Sequence, residues 1–325
     1  MKKILLLDTS VATLNMGDEI IHSSIQKNWP ELMGENYVCT FPTHTPPFSW
    51  WQSLLCKKKI APYKDVDYKF LCGTNALYTN MVRPFPTWNI NLLNCGLLSG
   101  TILVGVGAGV NSKNVNAYTR CLYRKVLSKD YIHSVRDEFT KDMLEKIGFR
   151  AYNTGCPTLW GLTPDFCKTI PQTKANRVVF TLTGYHPDVE NDRKMVEVLG
   201  RNYEELLFWP QTISDLDYLD SLGIKENIRI ITPSLDSYDK ALSENVDYVG
   251  NRLHGGIRAL QHGRRSIIIS IDYRALNMSK QFSIPILKRE DVQGQLDELI
   301  NTERETKISG LDFDLINKWK SQFVF

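Results

Sequence analysis

The sequence lacks the devices that mark several protein classes. Its seven cysteines, Cys39, Cys56, Cys72, Cys95, Cys121, Cys156 and Cys167, form an odd, scattered set without a Cys-x-x-Cys pair. That set offers neither a disulfide framework nor a zinc ribbon, and reduced, mostly buried thiols are the expectation. No His, Cys and Asp cluster has metal-ligand spacing, so no metal and no resident cofactor are expected. No apolar run approaches the roughly 18 residues of a membrane-spanning helix. The N-terminal run 4–7 stops at Asp8, short of the roughly 7–15 apolar residues of a secretory signal. Charge excess is small as well: 39 Lys plus Arg against 36 Asp plus Glu leave +3, too little to point to nucleic acid. These absences leave a soluble, cytoplasmic globular protein.

What is present is alternation. Short apolar runs alternate with longer amphipathic stretches, the pattern of parallel sheets covered by helices. Strands are expected at 3–8, 37–41, 69–72, 101–105 and 132–135, with a helix over 17–29 and another from Glu138 to Ile147 that stops at Gly148. The stretch 162–176 carries two prolines and little periodicity and reads as a linker. Beyond it, strands are expected at 178–183, 205–209, 228–232, 247–249 and 266–270. Helices are expected between them, around 192–199, 215–222, 237–244 and 257–262. The fold class is therefore α/β, with two Rossmann-like parallel-sheet domains facing a cleft. The expected domains are 1–165, 166–310 and a C-terminal helix, 311–325, packing back on the first. One region breaks the rhythm: 41–60 is rich in Pro and aromatics and ends in three lysines. It reads as a packed loop with a solvated lysine run. Its functional alternative is an aromatic, basic lip for a sugar or a lipid-linked acceptor, with Trp50, Trp51 and Lys57–Lys59 as contacts.

Four constellations could carry chemistry. Asn15-Met-Gly-Asp18-Glu19 follows the first strand and opens a helix, where carboxylates also serve as simple caps; Asn15 and Asp18 are candidates to bind the hydroxyls of a polar substrate. Gly105-Val-Gly107-Ala-Gly109 lacks the GxGxxG spacing and the helix a dinucleotide turn needs, so it reads as a turn that lets ligand or backbone come close. Ser134-Val-Arg136-Asp137 sits at a strand-to-helix transition, where an arginine points from the sheet edge towards an anion site or pairs with Asp137. Gly250-Asn-Arg252-Leu253-His254-Gly255-Gly256 follows a short strand. Side chains in an extended turn alternate with period two, which puts Arg252 and His254 on one side. Gly255 and Gly256 would expose N–H groups to an anion. A cationic fork beside a titratable imidazole fits a phosphate- or carboxylate-bearing substrate. Arg258 reads as a helix-face residue.

Taken together these residues resemble the polysaccharide pyruvyl transferase family. The matching pieces are Asn15-x-Gly-Asp-x-x-Ile21, Gly105-x-Gly-x-Gly109, Ser134-x-Arg136-Asp137, Thr154-Gly-Cys-Pro-Thr158 and Asn251-Arg-Leu-His254, continuing to Ile271-Asp-Tyr273. They stand in family order over almost the whole chain. The resemblance implies a GT-B-like fold and transfer of the enolpyruvyl-derived group of phosphoenolpyruvate to a sugar of a polysaccharide or its lipid-linked precursor, as a pyruvate ketal. It implies a phosphoenolpyruvate site from Arg136, Arg252, Leu253 and His254. Arg274 stands where many members have lysine, and Gly73-Thr74-Asn75 replaces a glycine-rich turn. In this reading Arg136, Arg252 and Arg274 hold the anionic groups, Gly107 and Gly255 allow close approach, and Asp18 orients the acceptor or takes its proton. His254 is general acid or base. Expected partners are phosphoenolpyruvate and the sugar acceptor, with contact at the inner face of the membrane and none with nucleic acid. The competing readings are a GT-B-like glycosyltransferase using a nucleotide sugar, with Asp236 and Asp272 as ribose-binding candidates, and a non-enzymatic carbohydrate-binding relative. His22 and His133 read as structural.

Overall fold

The computed structural model describes the chain apart from residues 110–113, 225 and 272, and apart from the side chains of Tyr273, Arg274 and Asn277. Its strands are β1 (Lys3–Asp8), β2 (Tyr37–Pro42), β3 (Tyr68–Cys72), β4 (Leu77–Tyr78), β5 (Thr101–Val104), β6 (Ala108–Gly109), β7 (His133–Val135), β8 (Ala151–Asn153), β9 (Arg177–Thr181), β10 (Glu205–Phe208), β11 (Ile228–Ile230), β12 (Asp247–Gly250), β13 (Ser266–Ser270) and β14 (Ile286–Lys288). Two compact units result. One comprises Met1–Thr13, Ile21–Trp160 and Asp312–Phe325, the other Leu14–Ile20 and Gly161–Leu311. The helix Met16–Asn28 thus has its first turn grouped with the second unit and the rest with the first.

In the first unit β2-β1-β3-β5 form an all-parallel sheet. Its central strands are buried on both faces: Ile4 to Leu7, Phe70 and Leu71 have no exposed surface, which is why they read as unbroken apolar runs. The parallel pair β7-β8 joins the edge of β5 through one bridge, Val106 to Val135. Side chains complete the seam. The Leu103 N–H donates to His133 Nδ1 at 3.2 Å and the Gly105 N–H to Ser134 Oγ at 2.8 Å. The helix Phe313–Lys320 belongs to this unit: Trp319 is fully buried, packs on Trp29 at 5.0 Å and donates Nε1–H to the Ile132 carbonyl at 2.7 Å.

In the second unit six parallel strands run in the order β11-β10-β9-β12-β13-β14. Counted from β9 this is 3-2-1-4-5-6, the doubly wound order, whose direction of winding reverses between β9 and β12. Ligands of such sheets bind beyond the carboxyl ends of the strands at that reversal. Val178, Phe180, Val249, Ile267 and Ile269 build the core against the covering helices Val189–Asn202 and Val292–Asn301.

Segment 41–60 is not a loop. Ser49 caps a helix Trp50–Leu55 through a reciprocal bond, its N–H donating to Gln52 Oε1 at 2.8 Å, and a second helix, Lys57–Lys64, follows with Ile60 buried. The expected linker 162–176 contains a short helix, Pro164–Cys167, capped by Thr163. Short strands β8 and β14 and the helices Tyr273–Phe282 and Val292–Asn301 complete the pattern. Among the described residues no helix is long and apolar enough to cross a membrane.

Candidate functional site

At the winding reversal of the second unit, Gly250 lets β12 lie against β9: a Cβ there would stand 2.3 Å from Thr181 Oγ1. The chain then turns through Asn251 and Arg252, and the helix Leu253–Gln261 begins. Arg252 is its N-cap and His254 stands in its first turn, so the period-two argument that set them on one side does not apply. Arg252 is 4% exposed. Its Nε donates to the Leu182 carbonyl at 3.2 Å, and its Nη2 donates to Thr212 Oγ1 at 3.1 Å and to Asp215 Oδ1. Tyr185 covers the guanidinium at 4.7 Å. The expected open fork is therefore an ion-paired one; Nη1 takes no part in these bonds.

Asp215 is the residue that sequence reasoning missed. Fully buried, it accepts from the N–H groups of Gly184, Gln211 and Thr212 at 2.9–3.0 Å besides Arg252. The signal was legible: Thr212-x-x-Asp215 is a capping box at a helix start. The same network reaches Asn15, whose Oδ1 caps its own helix at Gly17 N and accepts from Gln211 Nε2 at 2.7 Å. A Cβ at Gly17 would lie 2.7 Å from that Nε2, so a side chain there would push the Gln211 amide off Asn15. Asn15, Gln211, Thr212, Asp215 and Arg252 are thus one hydrogen-bonded group. Asp18, 8% exposed, lies in the same segment. Thr183 Oγ1, Trp209 Nε1, Gln211 Oε1 and Asn251 Oδ1 are buried without a partner among the described residues. They follow the carboxyl ends of the neighbouring strands β9, β10 and β12.

Gly256 does not offer its N–H to an anion. The Gly256 N–H is taken by the Arg252 carbonyl at 3.0 Å, and a Cβ at Gly256 would meet Ile268 at 2.3 Å. Gly255 is buried beside Tyr248, with its carbonyl accepting from Tyr238 at 2.8 Å. Their lack of side chains lets the helix close on the sheet. Arg258 is a buried ion-pair partner of Asp239, whose carboxyl is held down at about 2: burial would raise it, and bonds from Arg258 and His262 outweigh that.

The first unit carries a separate cationic locus. Arg136 follows β7, half-buried, and donates Nη2–H to Asn75 Oδ1. Its Nε is 3.7 Å from Asp137 Oδ2, which leaves Asp137 mainly the cap of the helix Glu138–Lys146, accepting from Thr140 N at 2.7 Å. Each glycine of 105–109 makes room for a side chain of its own unit rather than for a nucleotide. A Cβ at Gly105 would meet Pro157, one at Gly107 would meet Arg136 Nε at 2.3 Å, and one at Gly109 would meet the Tyr78 ring. Thr74 adopts a left-handed φ of 54° to present Asn75, and its carbonyl accepts from Gly107 N at 2.8 Å. The turn 73–75, a departure from the family pattern, is thus what positions Arg136. Ser134 and Thr154 hydroxyls bond at 2.6 Å, locking two further motif pieces together.

The remaining assignments divide simply. Asp272 and the side chain of Arg274 lie outside the described residues, as does the stretch 110–113 that follows the glycine turn. His22 Nδ1 lies 2.8 Å from Asp8, whose carboxyl stays below the usual range because bonds from His22 and Ser10 outweigh burial. Among the described residues no group of three or more His, Cys, Asp or Glu could hold a metal ion.

Comparison with known proteins follows the fold. The chain is similar to UDP-GlcNAc 2-epimerase from Neisseria meningitidis bound to UDP-GlcNAc (11% identity, 99% of this chain and 100% of that one, TM-score 0.52). It is also similar to the Methanocaldococcus jannaschii UDP-GlcNAc 2-epimerase in complex with UDP-GlcNAc and UDP (12%, 99% and 100%, TM-score 0.51). A third likeness is to S. aureus MnaA with UDP (11%, 99% and 97%, TM-score 0.50). At such identities the likeness shows the fold, two Rossmann-like domains of the GT-B kind. No curated protein matches the chain. The model of one family does, over residues 15–273, a span that takes in Asn15, the glycine turn, Arg136 and the segment 252–254. The chain belongs to the polysaccharide pyruvyl transferase family.

Proposed function

We propose that the protein transfers the enolpyruvyl-derived group of phosphoenolpyruvate to a sugar of a polysaccharide or its lipid-linked precursor, forming a pyruvate ketal. The observation that carries this reading is the family match across the segment that puts Arg252 and His254 at the winding reversal of the second sheet. The four polar atoms buried at the same strand ends without a partner among the described residues support a polar ligand there, since such groups otherwise cost about 1–3 kcal/mol each.

The chemistry requires a proton at C3 of the enol, addition of a sugar hydroxyl at C2, departure of phosphate with its bridging oxygen, and addition of a second hydroxyl at the same carbon. Phosphoenolpyruvate and a diol become a ketal and inorganic phosphate, with no net redox change. Arg252 is assigned to one anionic group of the donor through Nη1, its other nitrogens being held by Leu182, Thr212 and Asp215. Arg136, held by Asn75, and Arg274 are assigned to the remaining negative charge. His254 serves as the general acid at C3 or as the base for the acceptor. Asn15 and Asp18 are assigned to the acceptor hydroxyls.

The test is phosphate release from phosphoenolpyruvate with a panel of sugar acceptors, for wild type, His254→Ala and Arg136→Ala. Acceptor-dependent release that both substitutions abolish is the expected result. With no release, calorimetric titration of phosphoenolpyruvate alone decides. Absence of binding, against binding of a nucleotide sugar, overturns the reading in favour of a GT-B-like glycosyltransferase.

A further inference from the structure

The helix Trp50–Leu55 is built inside out. Its half-buried positions are the polar Gln52 and Ser53, while Trp50 (60% exposed), Trp51 (49%), Leu54 (58%) and Leu55 (75%) face solvent. At 100° per residue these four apolar side chains fall within an arc of about 140°. The helix is not loose: it is capped at Ser49, preceded by Phe48 stacked edge-on to Phe41 at 5.6 Å, and followed by Lys57–Lys64, whose Ile60 and Tyr63 pack into the core. Phe85 and Leu93, 91% and 75% exposed, protrude from the same unit. The exposed apolar arc of this helix marks an interaction site.

Charge says what covers it. Lys57, Lys58 and Lys59 are exposed directly beside the apolar face. The run 36–129 holds eleven Lys and Arg against only Asp65 and Asp67, a net +9 in a chain whose total is +3. Asp67 is engaged with Lys2 and the Lys3 N–H. Arg120, Arg124 and Lys125 are exposed on the helix Ala117–Val126, which packs, like Lys57–Lys64, against the turn Cys95–Leu98. Protruding Trp and Leu next to Lys57–Lys59, in a run whose basic residues far outnumber its acids, match a bilayer interface with anionic headgroups. The rings and aliphatic chains enter the headgroup–acyl boundary, while lysines meet the surface potential. A nucleic acid would use the charge but leave Leu54, Leu55 and Leu93 without a partner.

We propose that the helix Trp50–Leu55 with Lys57–Lys59 is a membrane-docking element that seats the first unit on anionic bilayers. The proposal is independent of the reaction catalysed. It is tested by flotation of the full chain with vesicles of phosphatidylcholine alone and with 30 mol% phosphatidylglycerol, at roughly physiological salt where charge is screened within about 8 Å. Expected is at least tenfold more protein on the anionic vesicles, with a blue shift of tryptophan emission. A double substitution Trp50→Ser, Trp51→Ser and a double substitution Leu54→Ser, Leu55→Ser should each abolish the shift and most of the binding. The triple change Lys57→Glu, Lys58→Glu, Lys59→Glu should remove the anionic preference. All seven side chains are exposed, and an unchanged thermal transition checks that each variant folds. No binding to either vesicle overturns the proposal. So does binding indifferent to the Trp and Leu changes and competed equally by heparin, which means a soluble polyanion. Concentration-dependent self-association in sedimentation velocity, lost in the Trp and Leu variants, gives the face to a second copy and overturns it too.

Discussion

At the scale of single residues, the second-unit locus depends on an aspartate rather than on the arginine that draws attention to it. Arg252 is buried, and its charge is tolerable there because Asp215 faces it. Removing one partner of such a pair strands the other, which typically costs about 3–5 kcal/mol. Asp215→Ala should therefore lower unfolding stability by about that much in urea titration, with Asp215→Asn, which keeps an oxygen for Gln211 N and Thr212 N, falling between the two. A loss within 1 kcal/mol for the alanine variant, about the scale of an exposed pair, would show that Arg252 is solvated in solution. Gly107 makes the opposite case. A Cβ there meets the far end of the flexible Arg136 side chain, at 2.3 Å from Nε, and its φ is not left-handed. Gly107→Ala should cost under about 1 kcal/mol of stability, since Arg136 can swing aside, but break its bond to Asn75. With Arg136 on the donor as proposed, its misplacement should lower acceptor-dependent phosphate release on the order of 10²-fold while the urea midpoint barely moves. The run 252–254 was legible because charge, imidazole and glycine stand together. Asn75 and Gln211 were not, because each acts on a side chain distant in sequence; Asp215 showed as a helix cap, but its pairing with Arg252 did not.

At the scale of elements, the seam between β5 and β7 is made by His133. Nδ1 accepts from Leu103 N, so the ring is neutral with its proton on Nε2, which donates to the Ser128 carbonyl at 3.0 Å. Burial pushes its pKa down to about 4. The unfolded histidine titrates near 6.5, so as pH falls from about 6.5 towards 4 the unfolded chain takes up a proton that the folded one refuses. Stability is full above 6.5 and falls by about 3 kcal/mol by pH 4 from this group alone. His133→Asn retains an acceptor but no titration. Its stability deficit relative to wild type, read from urea midpoints, should be larger at pH 7.0 than at pH 4.5; an equal deficit at both would mean the ring is solvated. The fold itself was legible where strands are buried on both faces, since β1 and β13 are unbroken apolar runs with sharp ends. Segment 41–60 was not, because its helix carries apolar residues on the solvent side, and periodicity read as core-facing has no meaning there. β14 and β8, three residues each, are too short to show a period.

At the scale of the whole molecule, the chain closes its first unit with its last residues. Trp319 and Phe323 enter a cluster of Trp29, Phe70 and Tyr68, with edge-to-face rings 5.0–5.5 Å apart. Gln322 bonds both backbone groups of Ile132, and Lys320 reaches the Asn28 carbonyl. Residues 312–325 are thus part of the core of a unit whose other strands lie before residue 160, with the second unit's sheet encoded in between. Truncating a buried tryptophan costs about 3–5 kcal/mol. Because the two units have separate apolar cores, that cost should fall on one of them. In Trp319→Ala, hydrogen exchange should speed up at amides of β1, β3 and the helix Met16–Asn28 while those of β9, β12 and β13 keep wild-type protection. Exchange that accelerates equally in both sheets would mean that the units unfold as one cooperative body, and that the C-terminal segment stabilises the chain as a whole.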